Sequence, residues 1–181
     1  RWTSSSSTTD TSNGTVVTSF SELTAAVTKA EKAGGGIVYV KGSSISCPAQ
    51  LALKASNANV SIIGVKNSDG TYPVLDFSAF RSAYIGKATT DSEVGIRISG
   101  SNYTIKNLII QKAPDNGIQI KGSSAGNNTI ENCMVRYNND AGVQITGGAY
   151  NNAVENIYSY RNCDVYTLGS NADGFAVKLS A

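Results

Sequence analysis

Few residue types in this chain can do chemistry. It has no histidine, which excludes a histidine-based catalytic triad, a histidine-ligated zinc and imidazole acid–base work. Cys47, Cys133 and Cys163 show no C-x-x-C spacing and are odd in number, so they read as buried free thiols rather than a disulfide set. That leaves carboxylates, cations and phenols. Asp173 stands directly before Gly174, where an aspartate is either a turn residue or an oxygen donor, and Asp115 and Asp140 stand two residues before Gly117 and Gly142. Lys121, Lys178, Arg136 and Arg161 could pair with anionic groups. Tyr137, Tyr158, Tyr160 and Tyr166 could lay a ring against the flat face of a sugar, or simply pack at the surface.

Those side chains are useful only if something aligns them, and the chain contains a repeat that does so. Gly95-Ile96-Arg97-Ile98-Ser99-Gly100 returns as Gly117-Ile118-Gln119-Ile120-Lys121-Gly122, as Gly142-Val143-Gln144-Ile145-Thr146-Gly147 and as Gly174-Phe175-Ala176-Val177-Lys178-Leu179, with glycine spacings of 22, 25 and 32. A second motif keeps step with it: Thr104-Ile105-Lys106-Asn107, Thr129-Ile130-Glu131-Asn132 and Ala153-Val154-Glu155-Asn156, at spacings of 25 and 24. A period of this length supplies two or three short strands per coil, each paired with its equivalent about 4.8 Å away in the next coil. The fold predicted is all-β, a right-handed parallel β-helix. Alternation turns Ile118, Ile120, Val143, Ile145, Phe175 and Val177 inward, and Gln119, Lys121, Gln144, Thr146, Ala176 and Lys178 outward. Asn107, Asn132 and Asn156 share a column in which stacked amides can hydrogen-bond upward. The glycines before each strand are expected to permit a tight bend. A leucine-rich repeat would need a leucine ladder that is absent, and a propeller blade would be nearer 40 residues.

Ahead of the repeat, Phe20, Leu23, Ala26, Val27 and Ala30 fall at helical spacing, with Ser19 or Ser21 as the cap and Gly34-Gly35-Gly36 as the stop. This helix is expected to cap the solenoid. Residues 1–14 read as a flexible leader or linker and residues 15–181 as the β-helix, whose set of coils is expected to be incomplete. One coil is longer than its neighbours: 17 residues separate Asn156 from Gly174, against nine between Asn107 and Gly117. A loop inserted into one coil of a solenoid shapes a surface groove in many proteins.

That loop runs into Asn171-Ala172-Asp173-Gly174-Phe175-Ala176-Val177-Lys178-Leu179. The segment N-A-D-G-F-A-x-K-L resembles the characteristic stretch of polysaccharide lyase family nine, the pectate lyases and their relatives, and Asp140 to Ala149 is similar to that family's stretch one coil earlier. The resemblance covers roughly residues 90 to 181 and implies a calcium-dependent β-elimination of polygalacturonate by a secreted, extracellular enzyme. It implies that Asp173 is a ligand of Ca²⁺. The remaining ligands and the catalytic lysine base of the family belong further along than Ala181, so a partial enzyme, inactive by itself, is expected. The repeat supports the special standing of Asp173: its column equivalents are Asn116 and Ala141, so the architecture itself asks for no carboxylate there. Calcium takes six to eight oxygens, and a neighbouring coil could supply what one carboxylate cannot. Lys178, Arg161 and Tyr166 are the expected substrate contacts, the substrate being an acidic polysaccharide.

Two other functions fit the same fold. One is a non-catalytic carbohydrate-binding or adhesion module. The other is a hydrolase, which needs carboxylates clustered on one face; Asp115, Asp140 and Asp173 do not share one column. A net charge of +2 gives no case for nucleic acid, and no apolar run approaches the length of a membrane span. The chain opens Arg1-Trp2 and turns polar, reading as a mature or trimmed chain. Open strand edges are expected to take up further C-terminal coils or a second copy of the chain.

Overall fold

A computed structural model describes residues 9–164, 168, 169 and 172–178 of the chain. Each turn of the chain visits three parallel sheets in the same order, and five complete turns follow a first strand. Sheet A holds β1 (Thr15–Val17), β2 (Gly36–Val40), β5 (Val60–Gly64), β8 (Tyr103–Lys106), β11 (Thr129–Glu131) and β14 (Ala153–Glu155). Sheet B holds β3 (Ser44–Ser46), β6 (Val74–Asp76), β9 (Ile109–Gln111), β12 (Met134–Arg136) and β15 (Tyr158–Tyr160). Sheet C holds β4 (Leu51–Leu53), β7 (Ile96–Ile98), β10 (Ile118–Lys121), β13 (Val143–Thr146) and β16 (Phe175–Val177). This is the parallel β-helix the repeat predicts. The two sequence motifs are sheets C and A.

The predicted registers hold. Ile118 pairs with Ile96 and Val143, and Val143 with Phe175. Ile96, Ile98, Ile118, Ile120 and Val143 are buried in one continuous core, burial worth about 1.5–3 kcal/mol for each large aliphatic side chain. Phe175 and Val177 lie on the edge strand and are 48% and 65% exposed. The helix α1 spans Phe20–Lys32; Ser19 is its cap, accepting from the Glu22 amide at 3.2 Å. It sends Leu23, Ala26 and Val27 into the core.

Asparagine ladders hold the turns. Asn132 Nδ2 donates to Asn107 Oδ1 at 2.5 Å, and Asn156 Nδ2 to Asn132 Oδ1 at 2.7 Å. All three sit in the left-handed region, at φ of 59°, 52° and 51°, which asparagine tolerates better than other side-chain-bearing residues. Two further ladders were not anticipated. Asn138 and Asn162 bond at 2.9 Å, Asn128 and Asn152 at 3.0 Å, and Asn138 Oδ1 also accepts from the Ala113 amide. These amides take up backbone donors that a buried turn would otherwise leave unpaired.

The repeat glycines work differently from expectation. Gly95, Gly117, Gly142 and Gly174 are not among the positive-φ residues, so bending is not their reason. A Cβ on Gly117 would lie 2.5 Å from Val135 Cγ1 and 2.8 Å from the Gly142 carbonyl of the next coil; on Gly142 it would meet the Gly174 carbonyl at 2.6 Å. Close stacking of coil on coil excludes a side chain there. The thiols divide: Cys47 and Cys133 are buried, with burial pushing both up to about 12, whereas Cys163 is exposed. The expectation of three buried thiols therefore fails at Cys163, which sits in a surface connection.

A second long connection also escaped the repeat. Between β6 and β7 run residues 77–95, with a short helix α2 (Ser78–Arg81) and 3-10 turns at Ser82–Tyr84 and Asp91–Glu93. Like the connection carrying Asp173, it joins sheet B to sheet C, so both insertions rise on one side of the stack. Much of the later insertion lies outside the described residues.

Candidate functional site

The site grows out of the sheet B to sheet C connections. Position 173 is two residues before Phe175, so the pairing of β16 with β13, and of β13 with β10, sets Asp173 in one column with Ala141 and, a coil further, Asn116. The Gly142 amide donates to the Asp173 carbonyl at 2.9 Å, which fixes the backbone while the residue itself is exposed. Ala141 and Asn116 are buried, Asn116 to 2% exposure.

One residue back, the register stacks Asp115 on Asp140, each three positions ahead of its paired strand residue, Ile118 or Val143. The three aspartates do not share a column, as expected, but two of them do. Asp115 is buried. Burial pushes its carboxyl up, against hydrogen bonds from Thr89 and the Asn116 amide, with Asp91 and Glu93 adding to the rise. Asp140 is raised to about 6, first by burial and then by the charge of Asp115; Lys178 opposes the rise and Asp164 adds to it. Asn116 donates from its backbone and from Nδ2 to Asp115 Oδ1, at 2.6 and 2.7 Å. Asp140 Oδ1 and Asn116 Oδ1 are buried without a hydrogen-bond partner among the described residues.

The outer face of sheet C is a polar lattice. Asp91 binds Arg97 at 3.0 Å, Lys121 at 2.6 Å and Gln119 at 3.0 Å; Arg97 reaches Gln119 at 3.0 Å, and Gln119 reaches Gln144 at 2.9 Å. Burial pushes the Asp91 carboxyl up, but the hydrogen bonds from Lys121, Arg97 and Gln119 outweigh it and bring it to about 2. Gln119, Gln144 and Ala176 are therefore outward-facing yet buried, because the face is covered rather than bare. A capping box places Asp91: the Thr90 amide and hydroxyl both donate to Glu93 Oε2, at 2.6 and 2.8 Å, while the Thr90 hydroxyl accepts from Ser92. The T-x-x-E spacing of Thr90 and Glu93 was the available sequence signal for it.

Among the expected substrate contacts, Lys178 is exposed at the end of β16, in the column of Lys121 and Thr146. Arg161 follows β15 of sheet B, at φ 53°, and donates to the Tyr137 hydroxyl at 3.1 Å. The fold thus sets Lys178 and Arg161 just after strands of different sheets. Tyr166 lies outside the described residues.

Asp173 has the donor chemistry of a calcium ligand, an exposed carboxylate on a braced backbone. Among the described residues, no three or more Asp, Glu or Cys side chains converge on a point that could hold a metal. Asp173 therefore fits as one arm of such a site and does not complete it. No helix among the described residues is long and apolar enough to cross a membrane.

Comparisons with known proteins agree with this architecture. The family model described as the Pel9A-like right-handed β-helix region matches residues 2–181. A pectate lyase L of Paenibacillus polymyxa (strain SC2) is 33% identical over 156 residues, covering 82% of this chain and 33% of that protein. The crystal structure of pectate lyase Pel9A superposes with a TM-score of 0.64 at 24% identity, over 86% of this chain and 37% of that one. The chain thus spans about a third of the length of the relatives it matches.

Proposed function

Since the chain belongs to the Pel9A-like right-handed β-helix family, we propose that it is the portion of a pectate lyase that carries one arm of a calcium site and part of a substrate surface. The observation that carries this reading is the register that sets a lone exposed carboxylate, Asp173, in a column otherwise held by Asn116 and Ala141. The substrate class is polygalacturonate, which locates the protein outside the cell. Asp173, its backbone braced by Gly142, would hold the cation, and calcium bound there would supply a Lewis acid that makes the proton beside the uronate carboxylate more acidic. Lys178, at the end of the same strand, pairs with a uronate carboxylate of the bound chain. The lattice of Asp91, Arg97, Gln119 and Lys121 keeps the face beneath rigid, so these groups do not have to be ordered on binding. The base that takes the proton is supplied by coils beyond those present in residues 1–181.

The test is the ultraviolet absorbance of the unsaturated product released from polygalacturonate. With the encoded continuation of the chain attached, product is expected with calcium and none with chelator, and Asp173→Ala is expected to lower the rate about 100-fold or more, the scale of losing a metal arm or its support. Residues 1–181 alone are expected to release none. Chelator-resistant cleavage, or full activity in Asp173→Ala, contradicts the proposal.

A further inference from the structure

We propose that the outer face of sheet B is a second binding surface for acidic oligosaccharide, separate from the Asp173 edge, with Arg136 and Arg161 pairing with uronate carboxylates and Tyr158 and Tyr160 offering ring faces. The ligand class rests on the proposed function; the surface rests on geometry.

Two outward columns define it. One runs Asp76, Gln111, Arg136, Tyr160, and the other Val74, Ile109, Met134, Tyr158. In the lower coils the face is closed on itself, Asp76 accepting from Gln111 at 2.7 Å and Lys112 at 3.3 Å, while Arg81 reaches from the 77–95 connection to the Tyr137 carbonyl and Asn139 after β12. In the upper coils the pairing stops and the residue types change. Arg136 and Arg161 make no ion pair with a carboxylate among the described residues. Their hydrogen bonds go to neutral groups: Arg136 to Gln111 Oε1 at 2.9 Å and the Tyr160 hydroxyl at 3.1 Å, Arg161 to the Tyr137 hydroxyl at 3.1 Å. A guanidinium carries five N–H donors, of which bonds among the described residues use two on Arg136 and one on Arg161.

The same contacts pre-order the cations. Both guanidinium carbons sit over the Tyr137 ring, at 5.6 and 5.7 Å, so two positive groups one coil apart are held without a counter-charge. Tyr158, Tyr160 and Tyr137 form a continuous strip, with centroids 5.3 and 5.8 Å apart and edges turned to faces. Tyr158, on the edge strand β15, is 63% exposed. Fixed guanidinium forks spaced at the coil repeat suit a polymer with a carboxylate on every residue. Rings beside them suit its pyranose faces.

The experiment is calorimetric titration with unesterified hexagalacturonate in chelator, which silences the calcium site. Native protein is expected to bind. Arg136→Gln/Arg161→Gln should weaken binding at least tenfold and Tyr158→Ala at least fivefold, while fully methyl-esterified oligomer should not bind. Thermal melting checks the fold; if the double variant is unfolded, Tyr158→Ala, at an exposed position, decides. No binding in chelator, native-like binding by the folded variants, or equal binding of polyglutamate and hexagalacturonate overturns the proposal. Binding as described, with no cleavage of polygalacturonate by the protein carrying its encoded continuation, would uphold this surface and sink the lyase reading. Calcium-dependent cleavage without binding in chelator would do the reverse.

Discussion

Asp140 is the residue at which position turns most directly into chemistry. Its carboxyl is raised to about 6 by burial and by Asp115, so the folded state holds its proton more tightly than an unfolded chain does. The stabilising contribution is therefore fully present below about pH 4, the ordinary aspartate value, and is lost as pH rises through about 6. Asp115 is raised too and acts with the same sign. In calcium-free urea denaturation, the midpoint is expected to fall between pH 4 and pH 6, and Asp140→Asn to flatten most of that fall; an unchanged pH profile in the variant would refute the assignment. The position of Asp173 was readable from the sequence because it immediately precedes its repeat glycine. The stacking of Asp115 on Asp140 was equally available, since each stands two residues ahead of its own, but comparing all three aspartates at once concealed it. The orphaned oxygens of Asn116 and Asp140 had no signal, because hydrogen-bond satisfaction depends on side-chain directions that no spacing encodes.

Among the elements, sheets A and C were readable and sheet B was not. The motifs Thr-Ile-x-Asn and Gly-Ile-x-Ile recur visibly, but the sheet B strands are three residues long: Val74-Leu75-Asp76, Ile109-Ile110-Gln111 and Met134-Val135-Arg136 share little beyond an apolar centre, and Tyr158-Ser159-Tyr160 lacks even that. The helix was read to within a turn of its observed end. The insertion at residues 77–95 was missed because it precedes the first clear repeat. In the last three coils the turn from sheet A to sheet B carries one left-handed asparagine, Asn107, Asn132 or Asn156, and its two duties can be separated. Asn132→Gly keeps the backbone conformation and loses the amide ladder, so it is expected to cost about 1 kcal/mol. Asn132→Ala loses both and is expected to cost roughly 1–2 kcal/mol more, the price of an alanine in the left-handed region. Equal melting shifts for the two would show that the ladder alone matters.

At the scale of the molecule, the stack is a one-dimensional object whose stability comes from coil on coil. Its described end presents β16 as an edge strand, with Phe175 and Val177 exposed, and an exposed apolar edge invites pairing. Residues 1–181 are expected to self-associate in sedimentation as concentration rises, and to do so less when Val177→Lys places a charge on the edge; a monomer at all concentrations would contradict this. The whole-molecule reading, that lateral register delivers a cation arm at Asp173, is tested most directly by a crystal structure of the protein with its encoded continuation, grown with calcium. The account predicts a cation about 2.4 Å from an Asp173 carboxylate oxygen, completed by oxygens from the following coil. Calcium bound elsewhere, with the Asp173 carboxylate left in solvent, would contradict it.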